Sequence, residues 1–283
     1  HIMDNSLSAT DRAWVELNME NLEHNINEFR SIIPKTTEVM AVVKANAYGN
    51  GTIPISKFLN SIGITNFAVA TLQEGIELRQ NGIVGNILIL GYTDITELES
   101  VIKYNLIQTI VDFNYAKKIE SLTLSDKINV HLKINTGLNR IGENYNNIDN
   151  FIKMFNMTNL NILGCYSHLG VADSLDNGDI EFTKNQIQNF DFCINKIKEA
   201  GCNPGKLHIQ NTYGTLNYSN LRYDYVRIGI GIYGVFNNII HENNSKTLIH
   251  LKPVLALKAR VTSIHKLHKN DSVSYGRNFV ASK

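Results

Sequence analysis

The residues with the most chemistry to offer stand at the ends of short apolar runs. AVVKANAYGNG (41–51) puts Lys44 directly after such a run, followed by Asn46, Tyr48 and Gly49. HLKINTGLNRIG (131–142) carries Lys133, Asn135, Thr136 and Arg140, and SHLGVAD (167–173) carries Ser167 and His168. HIQNT (208–212) offers His208, Gln210, Asn211 and Thr212; RIGIGIYG (227–234) offers Arg227, Gly229 and Gly231; DSVSYG (271–276) ends near Tyr275. A lysine in a crowded, partly desolvated strand end has its ammonium form disfavoured. Its free amine can then form a Schiff base with an aldehyde. Arginines and glycine-rich turns hold anions. The set has almost no carboxylates, so a paired-carboxylate acid/base mechanism is not expected. It contains no HExxH, no GxSxG and no cluster with metal-ligand spacing, so no metal is expected. Its character suits an anionic cofactor attached through an amine.

Each residue also has an ordinary reading. A lone strand-end lysine is more often a surface cation, and Arg140 and Arg227 read individually as ion-pair or capping residues. His168 and His208 are more often structural, Gly229 and Gly231 can serve close packing, and Tyr275 can be a plain strand aromatic. Lys133 is the odd member, because a charge inside an apolar strand is costly without a partner. The functional reading rests on their joint placement.

The elements that must position them follow from the hydrophobic pattern. Eight runs read as strands: VMAVV (39–43), FAVA (67–70), ILIL (87–90), IQTIV (107–111), NVHLKI (129–134), ILGCYS (162–167), LHI (207–209) and VRIGI (226–230). They are apolar on consecutive positions, as strands buried on both faces of a parallel sheet must be. Helices are predicted between them, most clearly at 53–61, 72–80, 95–104 and 182–200, the last closed by Gly201. Eight strands alternating with helices predict an α/β fold, a (β/α)8 TIM barrel; a doubly wound open sheet is the alternative. In a barrel, function gathers at the carboxyl ends of the strands, where these residues stand.

After Gly234 the texture changes. VLALKARVTSIHKL (254–267), the turn KND and the run SVSYGRNFVA read as a β-hairpin opening a second, mostly β domain. The early alternation WVELN (14–18) is expected to join that domain. The predicted organisation is a cloning remnant and linker at 1–11, the barrel at 12–240, and the start of a C-terminal β domain at 241–283. The opening HIM and the strand pattern still under way at Lys283 suggest a piece of a longer protein.

Composition narrows the partners. The chain has 283 residues, 43% hydrophobic, with 27 basic and 26 acidic side chains and a net charge of +1. That balance gives no electrostatic case for nucleic acid or an anionic membrane, and no apolar run is long enough to span a bilayer. The three scattered cysteines, without CxxC spacing, read as reduced thiols in a cytoplasmic segment.

These motifs, in this order, resemble the alanine racemases, pyridoxal-phosphate enzymes with an N-terminal (β/α)8 barrel and a C-terminal β domain. AVVKANAYGNG is similar to the family's pyridoxal-lysine motif, with Asn50 where histidine is usual. HLKINTGLNRIG, SHLGVAD, HIQNT, RIGIGIYG and DSVSYG are similar to further family segments, from about Trp14 onward. The resemblance implies that Lys44 carries the cofactor and acts as one catalytic base, and that Tyr275 is the second base, delivered into the partner subunit's site in a head-to-tail homodimer. It implies that Tyr48, Thr212 and the backbone of Gly229 and Ile230 hold the cofactor phosphate. It puts Arg227 at the pyridine nitrogen, with His168 in the network around it, and Arg140 near the phenolic oxygen and the substrate carboxylate. Lys133 matches a lysine often carried as a carbamate, and Asn135 stands in place of the usual aspartate.

The function implied is interconversion of the L and D forms of alanine, serine or both, supplying D-amino acid for peptidoglycan precursors. The serine-active type linked to vancomycin resistance, which carries its racemase domain behind a transmembrane region, is slightly favoured over a housekeeping alanine racemase. A barrel that only carries pyridoxal phosphate should lack the Tyr275 segment. A decarboxylase on a related plan usually places a carboxylate, not Arg227, at the pyridine nitrogen. An adaptor protein leaves the strand-end cations unexplained.

Overall fold

The computed structural model describes residues 11–235 and 245–283. The expected remnant before Asp11 and the domain boundary at 240–241 lie outside the described residues.

The chain enters through β1 (Ala13–Leu17) and α1 (Met19–Ile32), whose start is capped by Asn18 accepting from the Asn21 amide at 2.9 Å. It continues β2 (Glu38–Val42), α2 (Lys44–Tyr48), α3 (Thr52–Ser61), β3 (Asn66–Val69), α4 (Leu72–Gln80), β4 (Asn86–Ile89), α5 (Leu98–Lys103), β5 (Ile107–Ile110) and α6 (Phe113–Glu120). Then follow β6 (Ile128–Asn135), the short β7 (Glu143–Asn144), α7 (Ile148–Phe155), β8 (Leu160–Tyr166), α8 (Asn177–Glu199), β9 (Lys206–His208), α9 (Thr212–Asn217) and β10 (Tyr225–Ile228). Beyond these lie β11 (Leu255–Ala259), β12 (Ser272–Val273) and β13 (Phe279–Val280).

Strands β2, β3, β4, β5, β6, β8, β9 and β10 pair in parallel in that order, and β10 pairs back to β2, which closes the barrel. An open doubly wound sheet is therefore excluded. All eight predicted strands are found, with ends shifted by one or two residues. The segment predicted as one helix over 95–104 is split. Asp94 accepts from the Thr96 amide and hydroxyl and starts a 3-10 turn at Ile95–Glu97, and α5 follows it. Helix α8 begins five residues earlier than predicted, at Asn177.

Strand alternation sorts the side chains. Outward residues such as Val130, Leu132 and Ile134 join the large core under the helices. Inward, Met40, Val42, Ala68, Leu88, Ile107, Tyr166 and Tyr225 form a smaller core inside the barrel. His131, Lys133, His208 and Arg227 are buried beside that inner core.

The predicted C-terminal hairpin does not form. β11 pairs antiparallel with β1, Leu257 opposite Val15, while β12 pairs with β13 and with no other strand among the described residues. The run 272–281 is not one strand, because Ser274, Gly276 and Arg277 adopt φ of +60°, +75° and +50°, which break an extended backbone. Tyr275 consequently sits on a 3-10 turn, Tyr275–Arg277. The fully buried Asn25 of α1 donates to Ile232 O and Lys252 O and accepts from the Lys252 amide, tying the segment before β11 to the barrel.

Candidate active site

The site is built from the carboxyl ends of β2, β6, β8, β9 and β10. At the end of β2 the backbone takes an unusual course. Ala45, Asn46, Ala47 and Tyr48 all have φ between +51° and +55°, so α2 is one left-handed turn. Each such non-glycine residue costs roughly 1–2 kcal/mol. The turn is held from several sides. Gly49 continues it at φ +87°, Thr52 donates its amide to Asn46 Oδ1 at 3.0 Å, and Asn50 donates to Ala47 O at 2.9 Å. Glu74, from α4, accepts the Ala45 amide at 2.7 Å. The turn brings the half-buried Lys44 Nζ to 5.9 Å from the centre of the Tyr48 ring. The Tyr48 ring in turn lies 5.4 Å from that of Tyr233, whose hydroxyl donates to Val42 O.

Beside Tyr48 two glycines allow the backbone and side chains to approach closely. A Cβ on Gly229 would stand 2.5 Å from the Tyr48 hydroxyl. One on Gly231 would meet Phe29 Cζ at 2.6 Å and Thr212 Cγ2 at 2.8 Å. Gly231 N donates to Thr212 Oγ1 at 3.4 Å. Burial raises the Tyr48 pKa, so its hydroxyl keeps its proton and can donate. Two hydroxyls beside a glycine backbone that carries no Cβ form a suitable donor set for a phosphate group.

Arg227, 3% exposed, is the centre of the polar layer. Its Nη1 donates to His208 Nδ1 at 2.7 Å; its Nη2 donates to Ser167 O at 2.7 Å, His168 Nδ1 at 3.1 Å and Ile209 O at 3.2 Å. All four acceptors are uncharged. A guanidinium only donates, so both histidines accept through Nδ1 and carry their proton on Nε2. His208 Nε2 therefore donates to His131 Nδ1, at 2.9 Å. Burial, with Arg227 next, lowers the pKa of His168 to about 2 and of His131 to about 3, and pushes that of His208 well down. All three are neutral at pH 7, so His168 adds no positive charge to the site. Arg227 itself, lowered to about 10 by burial, stays charged.

Lys133 is also only 3% exposed, and burial, then Arg227 and Arg140, bring its pKa down to about 7. Its Nζ lies 5.4 Å from the ring centre of Tyr166, and the Arg227 guanidinium carbon lies 5.1 Å from the same centre. Tyr166 stacks on His208 at 4.7 Å and 6°, and its hydroxyl is bonded to Thr109 Oγ1 at 2.8 Å. Arg140 is exposed on the loop after β6. Asn135 shapes that loop. Its Oδ1 accepts from the amides of Gly137 and Asn139, and its Nδ2 donates to Asn139 Oδ1 and Asn144 Oδ1. From α8, Gln186 donates to His168 O at 3.0 Å and accepts from the Gly170 amide at 2.9 Å, fixing the loop that carries His168.

Lys44, Tyr48, Lys133, His168, Thr212, Arg227, Gly229 and Ile230 thus stand at one end of the barrel, while Tyr275, 99% exposed, does not join them within one chain. Sequence reasoning passed over Tyr166, His131 and Glu74. The first two carry a signal: they alternate with His168 and Lys133 at a spacing of two, on the same inward face. Among the described residues no group of three or more His, Cys, Asp or Glu is placed to hold a metal ion.

Comparison with known proteins supports the fold. Residues 17–237 match the family described as alanine racemase, N-terminal domain. An amino-acid racemase of Enterococcus faecalis is 41% identical over 94% of this chain and 37% of its own length. A serine/alanine racemase of Enterococcus gallinarum is 38% identical over 96% of this chain and 38% of its own length. The chain thus spans little more than a third of these two relatives. The solved alanine racemase of Clostridium difficile 630 superposes with a TM-score of 0.86 at 31% identity, covering 96% of this chain and 71% of that one.

Proposed function

The chain belongs to the alanine racemase family, a pyridoxal-phosphate-dependent family, and from that premise we propose that it catalyses racemisation of alanine and serine. When bound, pyridoxal phosphate supplies an aldehyde for a lysine amine and a ring that withdraws electrons from the amino acid's Cα. The residues present suit it. Lys44 is the amine, and the Tyr48 hydroxyl, the Thr212 hydroxyl and the backbone of Gly229 and Ile230 are the phosphate donors. Arg227 is the group for the pyridine nitrogen. One observation carries the reading: a buried arginine, held by neutral acceptors, shares a barrel mouth with a strand-end lysine and a pair of glycines packed against the Tyr48 and Thr212 side chains.

Racemisation removes a proton from one face of Cα and returns one to the other, so two bases are needed. Lys44 moves the proton on one face. Tyr275 of a second copy moves it on the other, in a head-to-tail homodimer; its 99% exposure supports its availability to a partner. Arg140 orients the substrate carboxylate. Arg227 stays protonated and gives no proton to the ring, so electron withdrawal stays weak and side reactions are suppressed. Lys133 takes up carbon dioxide: its neutral amine nitrogen bonds the carbon, one C=O π bond opens onto oxygen, and a proton leaves. The resulting anion pairs with Arg140 and relieves a cluster of cations that has no carboxylate partner among the described residues.

Serine enters the proposal because a serine/alanine racemase is among the similar proteins, beside alanine racemases of nearly equal identity. Among the described residues no helix is long and apolar enough to cross a membrane. We place this segment in the cytoplasm, consistent with its three unpaired cysteines.

The test is racemisation of L-alanine and L-serine side by side with pyridoxal phosphate, in a form extended beyond Lys283, with Lys44→Ala as control. Turnover of both, abolished in Lys44→Ala, supports the proposal. Turnover of alanine alone assigns a housekeeping alanine racemase. Cofactor binding through Lys44 without turnover returns the reading to a carrier or decarboxylase.

A further inference from the structure

The left-handed turn that carries Lys44 has no intrinsic reason to persist. Ala45, Asn46, Ala47 and Tyr48 each prefer negative φ, and Ala45 and Asn46 are exposed, so packing does not confine them. What holds the entry to the turn comes from a different element. Glu74 is the third residue of α4, where it completes a capping box with Thr71. Its carboxylate is shared between two tasks. Oε2 accepts from the Ala70 and Thr71 amides at 2.6 and 3.3 Å, closing the start of α4. Oε1 turns the other way and accepts from the Ala45 amide at 2.7 Å.

That amide belongs to the peptide unit joining Lys44 to Ala45. Any relaxation of Ala45 toward negative φ has to swing this unit and redirect the lysine. The anchor itself is rigid. Leu72 and Leu78 of α4 are buried, and Gly75 packs so closely that a Cβ there would lie 2.9 Å from Leu106 Cδ1. The two junctions are neighbours because β2 and β3 pair, Val42 opposite Ala68, and the Val43 amide continues the ladder to Ala68 O at 3.0 Å.

We infer that Glu74 is a positioning residue for Lys44, a carboxylate that clamps the left-handed lysine turn to the first turn of α4. Its purpose rests on the reading of Lys44 as the cofactor-bearing amine; the clamp itself does not.

The discriminating variant is Glu74→Gln, equal in size. Its single oxygen serves the two amides of α4 while its NH2 faces the Ala45 N–H, so the helix cap survives and the clamp is lost. The control is Thr71→Ala, which removes the other half of the capping box, the Glu74 amide to Thr71 Oγ1 bond at 3.3 Å, and leaves Ala45 alone. Two quantities are read in the 283-residue protein. One is amide hydrogen exchange of Ala45 without cofactor; the other is the rate at which added pyridoxal phosphate is trapped on Lys44 by borohydride. Glu74→Gln is expected to speed exchange roughly tenfold, as loss of one charge-assisted hydrogen bond implies, and to slow trapping by a similar factor. Thr71→Ala lowers the thermal midpoint but keeps both readouts near wild type. Unchanged exchange in Glu74→Gln, or equal effects of the two variants, overturns the inference. If the exchange contrast holds but wild type is never trapped at Lys44, the clamp stands and the cofactor reading falls.

Discussion

Arg227 Nη1 donates to His208 Nδ1 at 2.7 Å, and because a guanidinium has no acceptor, this one bond sets the tautomers of two histidines in series. His208 must carry its proton on Nε2, His131 must accept it on Nδ1, and the charge of Arg227 is held at the barrel mouth by groups that cannot neutralise it.

Replacing Arg227 by lysine keeps the charge and loses the fork. One ammonium cannot reach His208, His168, Ser167 O and Ile209 O together. The orphaned buried acceptors are expected to cost about 1–3 kcal/mol. Urea denaturation of Arg227→Lys measures this, and a midpoint equal to wild type contradicts the fork.

The buried histidines make stability acid-sensitive. His131 and His168 have folded pKa values near 3 and 2, below the unfolded value of about 6.5. Between those limits the unfolded chain binds protons that the native protein refuses, so stability falls as pH falls from about 6.5. At pH 5 the loss approaches about 2 kcal/mol for each such histidine. Denaturation midpoints at pH 7 and pH 5 report it, and His131→Asn should show a shallower dependence than wild type.

Lys133 adds a second, alkaline dependence. Its folded pKa of about 7 lies below the ordinary 10.5, so its uncharged burial costs stability that is recovered as pH rises from 7 toward 10.5. Bicarbonate should raise the denaturation midpoint in this range, because carbon dioxide adds to the neutral native amine and not to the protonated unfolded one. Isotope-labelled bicarbonate followed by carbon NMR detects the adduct directly, and Lys133→Met should show neither signal.

Gly229→Ala and Gly231→Ala should both be felt, for different reasons. The Gly229 backbone stands at φ −101° and ψ −100°, outside the regions open to alanine, and a methyl there would displace the Tyr48 hydroxyl. The cofactor dissociation constant should rise roughly tenfold, the loss of about one hydrogen bond, and the thermal midpoint should fall with it. At Gly231 the methyl meets Phe29 and Thr212 and should cost about 1–3 kcal/mol of stability through overpacking.

Ala45 tests the strain of the lysine turn. Its φ of +51° is open to glycine and hostile to a β-branched side chain. Ala45→Gly should leave stability within about 1 kcal/mol of wild type, and Ala45→Val should lose about 1–3 kcal/mol. Equal midpoints for the two variants contradict a left-handed residue at this position.

The sequence by itself determined the strands and what stands at their ends. Consecutive apolar residues marked buried parallel strands, and polar residues at or inside the late part of each run stood out against them, so Lys44, Lys133, His168, Thr212 and Arg227 were legible as one set. Those are local signals, carried by spacing along the chain. The tertiary structure alone decided the closure of the sheet, since the pairing of β10 with β2 joins residues nearly two hundred positions apart. It decided how the left-handed turn is entered, because local bonds from Asn50 and Thr52 hold its later residues while the Ala45 amide is held by a carboxylate 29 residues away. It placed Tyr275 on a turn where alternation predicted a strand, and it fixed the histidine tautomers through one arginine. In each case the deciding contact is a hydrogen bond or a backbone strain balanced across the fold, and no stretch of residues read alone contains both sides of it.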